Sequence, residues 1–277
     1  MAFHVRQSPF YVWLAVVLSV ICASSIASGS PYHIRSKLPW NGTLDKNTKE
    51  LTNSKQWDFL TLSLSWPQTF CTLEGDENVT CQIPPDVNDL AIHGLWPSGK
   101  SDPFSCNNTW KFNVTEIKDL KPKLLVEWPN VLPDRPEDSL WQHEWEKHGT
   151  CAASLPALNS QHSYFEKTLE LKEKYNLLEM LRSYDIVPSD SKQYQYDDVF
   201  NSLAKALRTQ PYLECYIPLQ NPDVFYIAEM RICLDKQFGL IDCTKSSMME
   251  LRSNRVTQRE NQPCTTKLPL MIPPIQH

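Results

Sequence analysis

The residues best suited to acid–base chemistry lie in one short stretch, 139–151, which reads SLWQHEWEKHGTC. It holds two of the chain's seven histidines, together with two glutamates and a lysine. An imidazole takes or gives a proton near neutral pH, and an ammonium group neutralises an anion beside it. The stretch therefore indicates a site that moves protons next to a negatively charged group.

The same stretch is predicted to form a helix. Ser139 is a favourable N-cap, because its hydroxyl can accept a hydrogen bond from a free N–H of the first turn. Gly149 is predicted to end the helix, because glycine tolerates the left-handed conformation that follows many helices. No glycine or proline lies between the two.

One face of this helix carries the polar side chains. At about 100° per residue, four of them fall within an arc of about 140°: His143, Lys147, Glu144 and His148. Trp145 falls outside the arc and is predicted to anchor the helix in the core. A solvated charged face is the alternative explanation. It does not require two histidines, and the flanking tryptophans indicate partial burial.

A zinc site is a second alternative for this helix. The zinc motif H-E-x-x-H places its histidines four residues apart, so that both rings reach one metal. His143 and His148 are separated by five positions, and their rings diverge by about 140° on the wheel. The spacing argues against a metal site, and no cofactor is expected.

A third histidine, His93, lies in AIHGLWPSG, residues 91–99. The apolar residues before it predict a buried strand, which Gly94 and Pro97 are expected to bend or stop. His93 is thus predicted at a strand edge, where a rigid element can hold a side chain in a cleft. A purely structural histidine is the alternative. Trp96 beside it fits either a stacking wall or a corner of the core.

The elements around these residues predict an α+β fold with a mostly antiparallel sheet packed against several helices. Alternation in WDFLTLSLSW, residues 57–66, predicts a strand with one buried face. Residues 70–90 are predicted to form a loop. Apolar stripes predict helices at 116–128, 163–184 and 197–208. Strand-like runs follow at 212–219, 224–234 and 238–241.

Length and charge limit the possible functions. At 277 residues, with 41% hydrophobic residues, the chain is long enough for one sizeable globular domain. Its net charge of −5 argues against a broad nucleic-acid-binding surface, which normally shows as an excess of basic residues. It leaves room for a small cationic cleft.

The N-terminus is typical of a secretory signal, predicted over residues 1–28. Arg6 is followed by an apolar run from Phe10 to Ala23 and then by small residues. The run is too short for a membrane span, and none is predicted later in the chain. Residues 29–54 are predicted to be a mobile segment, and 266–277 a C-terminal tail.

Cysteine usage agrees with a secreted product. After Cys22 leaves with the signal, an even set of eight remains, which is typical of four disulfides. Spacing alone fixes no pairing, although Cys71 with Cys81 and Cys233 with Cys243 are plausible local pairs. Glycosylation is predicted at four sequons: Asn41, Asn78, Asn107 and Asn113.

HGLWP, residues 93–97, and HEWEKHGTC, residues 143–151, resemble the two signature segments of the ribonuclease T2 family of secreted acid endoribonucleases. The resemblance covers about Trp57 to Cys264 and implies a catalytic domain over residues 55–265. It also implies the disulfide pairs Cys71–Cys81, Cys106–Cys151, Cys215–Cys264 and Cys233–Cys243.

The resemblance assigns roles to six residues. The catalytic residues are His93, Glu144, Lys147 and His148; the substrate-binding residues are His143 for phosphate and Trp96 for the upstream base. Two positions depart from the pattern of many members. Ser98 replaces an acidic residue, and Leu140 replaces an aromatic one; both bear on base preference.

The expected activity is metal-independent cleavage of single-stranded RNA, through a 2′,3′-cyclic phosphate to 3′-phosphate products, with an acidic pH optimum. His148 is assigned as general base and His93 as general acid. A monomer that leaves DNA uncut is expected, secreted or in the lumen of a lysosome or endosome. The alternatives are a secreted glycoprotein acting through protein partners and a metallohydrolase.

Overall fold

The computed structural model describes residues 57–100, 102–243 and 261–277. Within them a seven-stranded sheet forms, with β2, β1, β4, β3 and β6 side by side and with β5 and β7 each paired to β4. The strands are β1 (Phe59–Ser65), β2 (Ala91–Ser98), β3 (Tyr212–Tyr216), β4 (Phe225–Leu234), β5 (Leu240–Ile241), β6 (Gln262–Pro263) and β7 (Leu270–Met271). All pairings are antiparallel except that of β7 with β4.

Helices fill the chain between β1 and β3. They are α1 (Pro67–Asp76), α2 (Lys121–Glu127), α3 (Ser139–Glu144), α4 (Thr150–Ala152), α5 (Gln161–Lys174), α6 (Leu177–Arg182) and α7 (Tyr196–Leu207). Short 3₁₀ turns lie at Val114–Ile117 and Pro156–Leu158, and a π-helical turn at Trp145–Gly149 joins α3 to α4. The predicted α+β class with a mostly antiparallel sheet is confirmed. Four disulfides form, in the pairing that the resemblance implies.

Strand β1 is buried on both faces, not on one as its alternation predicts. One face is apolar: Leu60, Leu62 and Leu64 are at most 1% exposed. The other face is polar and equally buried, because its hydroxyls have partners within the sheet. Thr61 shares a hydrogen bond with Ser98, and Ser63 donates one to Glu229. A buried polar network thus lies directly beneath one face of the sheet.

Strand β2 continues through Gly94 and Pro97 to Ser98, so a stop at these residues, one of the two predicted outcomes, is wrong. It is an outer strand, and an edge strand tolerates proline because only one of its sides carries ladder hydrogen bonds. The irregularity lies one residue earlier. Ser63 pairs with Gly94 while Leu64 pairs with Ile92, so His93 is the extra residue of a β-bulge.

Three predicted helical or loop boundaries also differ. The predicted 70–90 loop begins inside α1, because Pro67 is well placed at a helix start. The predicted 116–128 helix is a 3₁₀ turn followed by α2, with Pro122 near the start of α2. The predicted 163–184 helix is two helices, since Asn176 leaves the helical conformation and caps α6 by accepting from the N–H of Glu179.

The core lies between the apolar face of the sheet and the helices. Its largest helix-side members are fully buried aromatic side chains: Trp128, Trp141, Tyr164 and Phe165. The segment interpreted as a C-terminal tail contributes as well. Leu270 and Ile272 are completely buried, and Leu270 lies in β7. Their apolar side chains account for this packing.

Part of the predicted organisation falls outside the described residues. This applies to the signal at 1–28, the segment at 29–54 and the sequon at Asn41. Among the residues that are described, no helix is both long enough and apolar enough to cross a membrane.

Candidate active site

The imidazoles of His93 and His148 both lie next to the indole ring of Trp96. His93 comes from β2 and His148 from the π-helical turn. The ring centroid of Trp96 lies 5.0 Å from that of His93 and 5.4 Å from that of His148. Trp96 is only 7% exposed, and both imidazoles pack against it, so the two histidines lie at the same site.

The predicted end of the His148 helix at Gly149 is wrong. The helix passes through the π-helical turn into α4. Its N-cap is Asp138 rather than Ser139. Gly149 has helical angles, φ −58° and ψ −40°, so no left-handed conformation requires it. A Cβ there would lie 2.3 Å from Cε3 of Trp145, the predicted core anchor, which is fully buried. Glycine is therefore needed for space.

A neighbouring loop holds the π-helical turn from outside. The N–H of Ser105 donates to the carbonyl of Lys147 over 2.7 Å. The disulfide Cys106–Cys151 joins the next residue of that loop to α4. Together they fix the backbone on both sides of His148, and π turns of this kind occur frequently at functional sites.

Glu144 lies at the centre of the site and is 1% exposed. Its Oε2 accepts from the indole N–H of Trp96 over 2.8 Å, while its Oε1 lies 3.9 Å from Nε2 of His93 and 4.0 Å from Nε2 of His143. Gly94 makes this approach possible, since a Cβ there would lie 2.1 Å from Oε2. Burial raises the pKa of Glu144 to about 6, against the lowering effect of His93 and Trp96.

His148 is held in its neutral form. The residue is 8% exposed, and its Nδ1 is buried with no hydrogen-bond partner within the described part of the chain. Burial lowers the pKa of His148 well below its usual value, and the charges of Lys147 and His93 lower it further. A neutral imidazole accepts a proton, which is the property of a general base.

His93 has the opposite property. Its Nδ1 lies 2.6 Å from Oε1 of Glu229 on β4, and its side chain is 38% exposed. Burial lowers its pKa, but the charge of Glu229 and the hydrogen bond to it outweigh that effect, so the pKa is raised overall. The pKa values of His93 and His148 are thus moved in opposite directions, the arrangement that separates an acid from a base.

The remaining predicted residues line the approach to this centre. His143 is 56% exposed, and burial together with the charges of Lys147 and His93 lowers its pKa. Lys147 is exposed on the π-helical turn. A cavity of about 510 Å³ opens beside His93 and His143 and continues along residues 129–132 to Arg135. The site therefore combines a titrating centre, cationic groups and room for a ligand.

Comparisons with known proteins identify the family. The sequence model of the Ribonuclease T2 family matches residues 57–243. The chain belongs to the ribonuclease T2 family. It is similar to human Ribonuclease T2, with 41% identity over 200 residues that cover 71% of this chain and 74% of the human one. It is also similar to Ribonuclease Oy of Magallana gigas, with 34% identity over 80% of this chain and 98% of that protein.

Solved structures of ribonucleases share the fold. The crystal structure of human RNase T2 matches with a TM-score of 0.62 and 33% identity, over 79% of this chain and 99% of that one. RNase NT in complex with 5′-AMP matches with a TM-score of 0.64 and 27% identity, over 79% of this chain and 100% of that one. The protein is an RNA-cleaving endoribonuclease of the T2 type.

Two residues near the site of this T2 ribonuclease, Glu229 and Arg231, were not predicted from the sequence. Both are buried on β4, where they alternate with apolar residues in FYIAEMRICL. The sequence pattern that could have indicated them is two charged residues, two positions apart, inside an apolar strand. A buried charge needs a partner, so such a pair suggests a buried polar contact. Phe104 was also missed. It is 70% exposed and precedes Ser105, which contacts the π-helical turn.

Two further features bear on the alternatives. Across residues 57–100, 102–243 and 261–277, no group of three or more His, Cys, Asp or Glu is arranged to hold a metal ion. Three predicted glycosylation sites, Asn78, Asn107 and Asn113, are exposed. In the sequons at Asn107 and Asn113 the asparagine Oδ1 accepts a hydrogen bond from the threonine hydroxyl.

Proposed function

We propose that this ribonuclease cleaves single-stranded RNA by transphosphorylation, with His148 as general base and His93 as general acid. The observation that carries the proposal is the opposite pKa shift of the two histidines across one indole ring. Between the two pKa values His148 is neutral and His93 is protonated, so both are in the form that the reaction requires.

The bond changes follow from these roles. His148 removes the proton of the ribose 2′-OH, and the 2′ oxygen bonds to the adjacent phosphorus. The bond from phosphorus to the 5′ oxygen breaks, and His93 gives that oxygen its proton. The products are a 2′,3′-cyclic phosphate and a free 5′-OH. In a second step the roles are reversed: His93 removes a proton from water, the water oxygen bonds to phosphorus, and His148 gives a proton to the 2′ oxygen as its bond to phosphorus breaks. The product is a 3′-phosphate.

The neighbouring charged groups support this transfer. Lys147 and protonated His143 neutralise the charge that grows on the phosphoryl oxygens. Glu144, with a pKa of about 6, lies within 4.0 Å of both His93 and His143, so it orients these cations or shares a proton with them. The acidic optimum that we propose fits the lowered pKa of His148, because this base stays neutral at pH values well below 6.5.

Single strands are the proposed substrate, because a base must leave its helix to stack on a protein side chain. Trp96 stays the predicted contact for the upstream base, although only 7% of it is exposed. Phe104, 70% exposed, offers a fuller surface next to the π-helical turn. The complex of the similar RNase NT with 5′-AMP supports nucleotide binding.

One digestion experiment tests the reaction. A defined RNA oligonucleotide, its 2′-O-methyl analogue and the matching DNA are incubated with the enzyme, with and without excess chelator, and the ends are analysed by mass. We expect cyclic-phosphate ends from RNA alone, unaffected by chelator. His93→Ala and His148→Ala should each lower turnover by several orders of magnitude.

Each other result has a meaning. Cleavage of DNA or of the methylated RNA refutes attack by the 2′-OH, whatever the family. Activity abolished by chelator supports the metallohydrolase alternative. A folded protein that cleaves nothing supports the glycoprotein that acts through partners.

We further propose secretion, or delivery to a lysosomal or endosomal lumen, of a monomeric product. The proposed chain organisation is a signal at residues 1–28 that is removed, then a segment at 29–54, and then a catalytic domain at 55–265. Four disulfides support an oxidising compartment, and one similar protein is named Extracellular ribonuclease LE from Solanum lycopersicum. Mass analysis of the secreted product would give the N-terminus and the occupied sequons.

A further inference from the structure

Glu229 is held more tightly than any role in packing requires. It is 5% exposed, and each of its carboxylate oxygens has its own partners. Oε1 lies 2.6 Å from Nδ1 of His93. Oε2 accepts from Ser63 over 2.7 Å and from Arg231 over 2.9 Å through Nε and 2.6 Å through Nη2. One oxygen therefore faces the catalytic histidine while the other is fixed to the sheet.

Arg231 extends this arrangement into the polar face of the sheet. Its Nη2 also donates to Glu214 on β3 over 2.9 Å, so one buried guanidinium bridges two carboxylates. Its Cζ lies 5.1 Å from the ring centroid of Trp96. The group that fixes Glu229 thus also packs against the indole that contacts both histidines.

We propose that Glu229 is a positioning residue for His93. Its carboxylate accepts a hydrogen bond from Nδ1–H of His93, which leaves Nε2 of the imidazole to face the leaving 5′ oxygen. The proposal rests on the proposed function and adds to it a residue outside the two signature segments. The bulge in β2 is the reason that the contact exists, because it turns His93 toward the face that carries Ser63 and Glu229.

The surroundings of His93 explain why Glu229 has this role. Glu229 and Arg231 face it from β4, Glu144 and His143 from α3, and His148 from the π-helical turn. The nearest oxygen of Glu144 is 3.9 Å from Nε2, beyond hydrogen-bonding distance. Among the carboxylates of the described residues, Glu229 is the one within hydrogen-bonding distance of the His93 ring. Although burial raises the pKa of Glu229, Arg231 and His93 hold it well below its usual value, so the carboxylate stays charged.

A matched pair of variants separates positioning from structural support. Glu229→Gln and Glu214→Gln each remove one carboxylate from Arg231, but only Glu229 touches His93. We expect both variants to lower Tm. Glu229→Gln alone should lower the His93 pKa by about one unit, because an opposite charge at hydrogen-bonding distance shifts a pKa by about 1–3 units. It should also lower kcat about 100-fold, with a smaller change in KM.

The assay is an NMR titration of the histidine ring protons together with the pH dependence of kcat. In Glu229→Gln the alkaline limb of the kcat profile should move to lower pH, while His148 titrates as before. In Glu214→Gln both histidines should titrate as in the wild type. If Glu229→Gln leaves the His93 pKa and the alkaline limb in place, or if Glu214→Gln shifts them equally, the proposal is overturned.

The wild-type protein provides a test that needs no variant and no RNA. At pH values above its pKa, neutral His93 should carry its proton on Nδ1, which the nitrogen chemical shifts report. An Nε2-protonated ring would overturn the proposal even if RNA is cleaved as expected. Conversely, an Nδ1 proton with no RNA cleavage would sustain the positioning and refute the proposed reaction, so the two failures are distinguishable.

Discussion

Replacing Gly149 by alanine tests how the helix that carries His148 is built. The new Cβ would lie 2.3 Å from Cε3 of Trp145 and 3.0 Å from Cζ3. The indole has no room to move away. It is fully buried, packs edge-on against Trp110 with centroids 4.9 Å apart, and donates its N–H to the Trp110 carbonyl. The helix or the ring must therefore shift.

The size of the effect is a difference of two terms. Overpacking a filled core costs about 1–3 kcal/mol. Alanine recovers about 1 kcal/mol of that, because it is the better helix former. The difference is a net loss of about 0–2 kcal/mol, and the 2.3 Å approach favours the upper end, which corresponds to a fall in Tm of roughly 6 °C for a domain of this size. His148 directly precedes the displaced residue, so kcat should fall about 10–100-fold.

The chain supplies its own control. Gly75 lies in α1, and a Cβ there would meet no atom within 4 Å. Gly75→Ala should therefore raise the stability by about 0.5–1 kcal/mol and leave kcat unchanged. The same substitution thus has opposite signs in two helices. Thermal unfolding and steady-state RNA cleavage, measured on both variants, give the comparison.

A third variant distinguishes space from backbone conformation. If Gly149 were a left-handed helix stop, asparagine would replace it better than alanine, because asparagine tolerates that conformation. If space is the reason, the larger Gly149→Asn variant should be at least as damaging as Gly149→Ala. A Gly149→Ala protein as stable as the wild type, or an asparagine variant more stable than the alanine variant, would refute the packing argument.

Two further predictions concern pH and the disulfide next to the site. Because the pKa of His148 is lowered well below 6.5 and that of His93 is raised above it, kcat should stay near its maximum between the two. It should fall on the acidic side as His148 gains a proton and on the alkaline side as His93 loses one; a single narrow peak in a pH–rate profile would contradict this. Replacing Cys106 and Cys151 by alanine opens a link across a sequence separation of 45, which should cost about 4 kcal/mol of unfolding free energy in denaturant titrations. Turnover should fall with it, and normal turnover in the folded variant would show that the disulfide does not position His148.

The fold class was predictable because it depends on patterns that are local in sequence. Alternation located β1, and apolar stripes located α7 and the region of α5 with errors of one or two residues at most of their ends. Chain breaks inside a stripe were not predictable in the same way. Tyr175 continues the apolar pattern of α5, yet the cap at Asn176 ends one helix and starts another.

The sequence indicated candidate residues for the site but not their geometry. The wheel placed His143 and His148 about 140° apart because it assumes about 100° per residue throughout. The π-helical turn at Trp145–Gly149 breaks that assumption, and a Cβ on Gly149 would meet the buried ring of Trp145 there. Likewise, no local sequence pattern predicts the bulge at His93, because the bulge depends on the register of β2 against β1.

These two irregularities account for the opposite pKa shifts of the proposed acid and base. The bulge places His93 beside a carboxylate that the sheet holds through Arg231, so its proton is retained. The π-helical turn places His148 in a buried position near the cationic Lys147, with no carboxylate contact from residues 57–100, 102–243 or 261–277, and this lowers the pKa of His148. Two identical side chains can thus take the opposite roles that we propose, because one lies on the polar face of a sheet and the other on the inner side of a helix. A variant that regularises either element should therefore change one limb of the pH profile and leave the other in place.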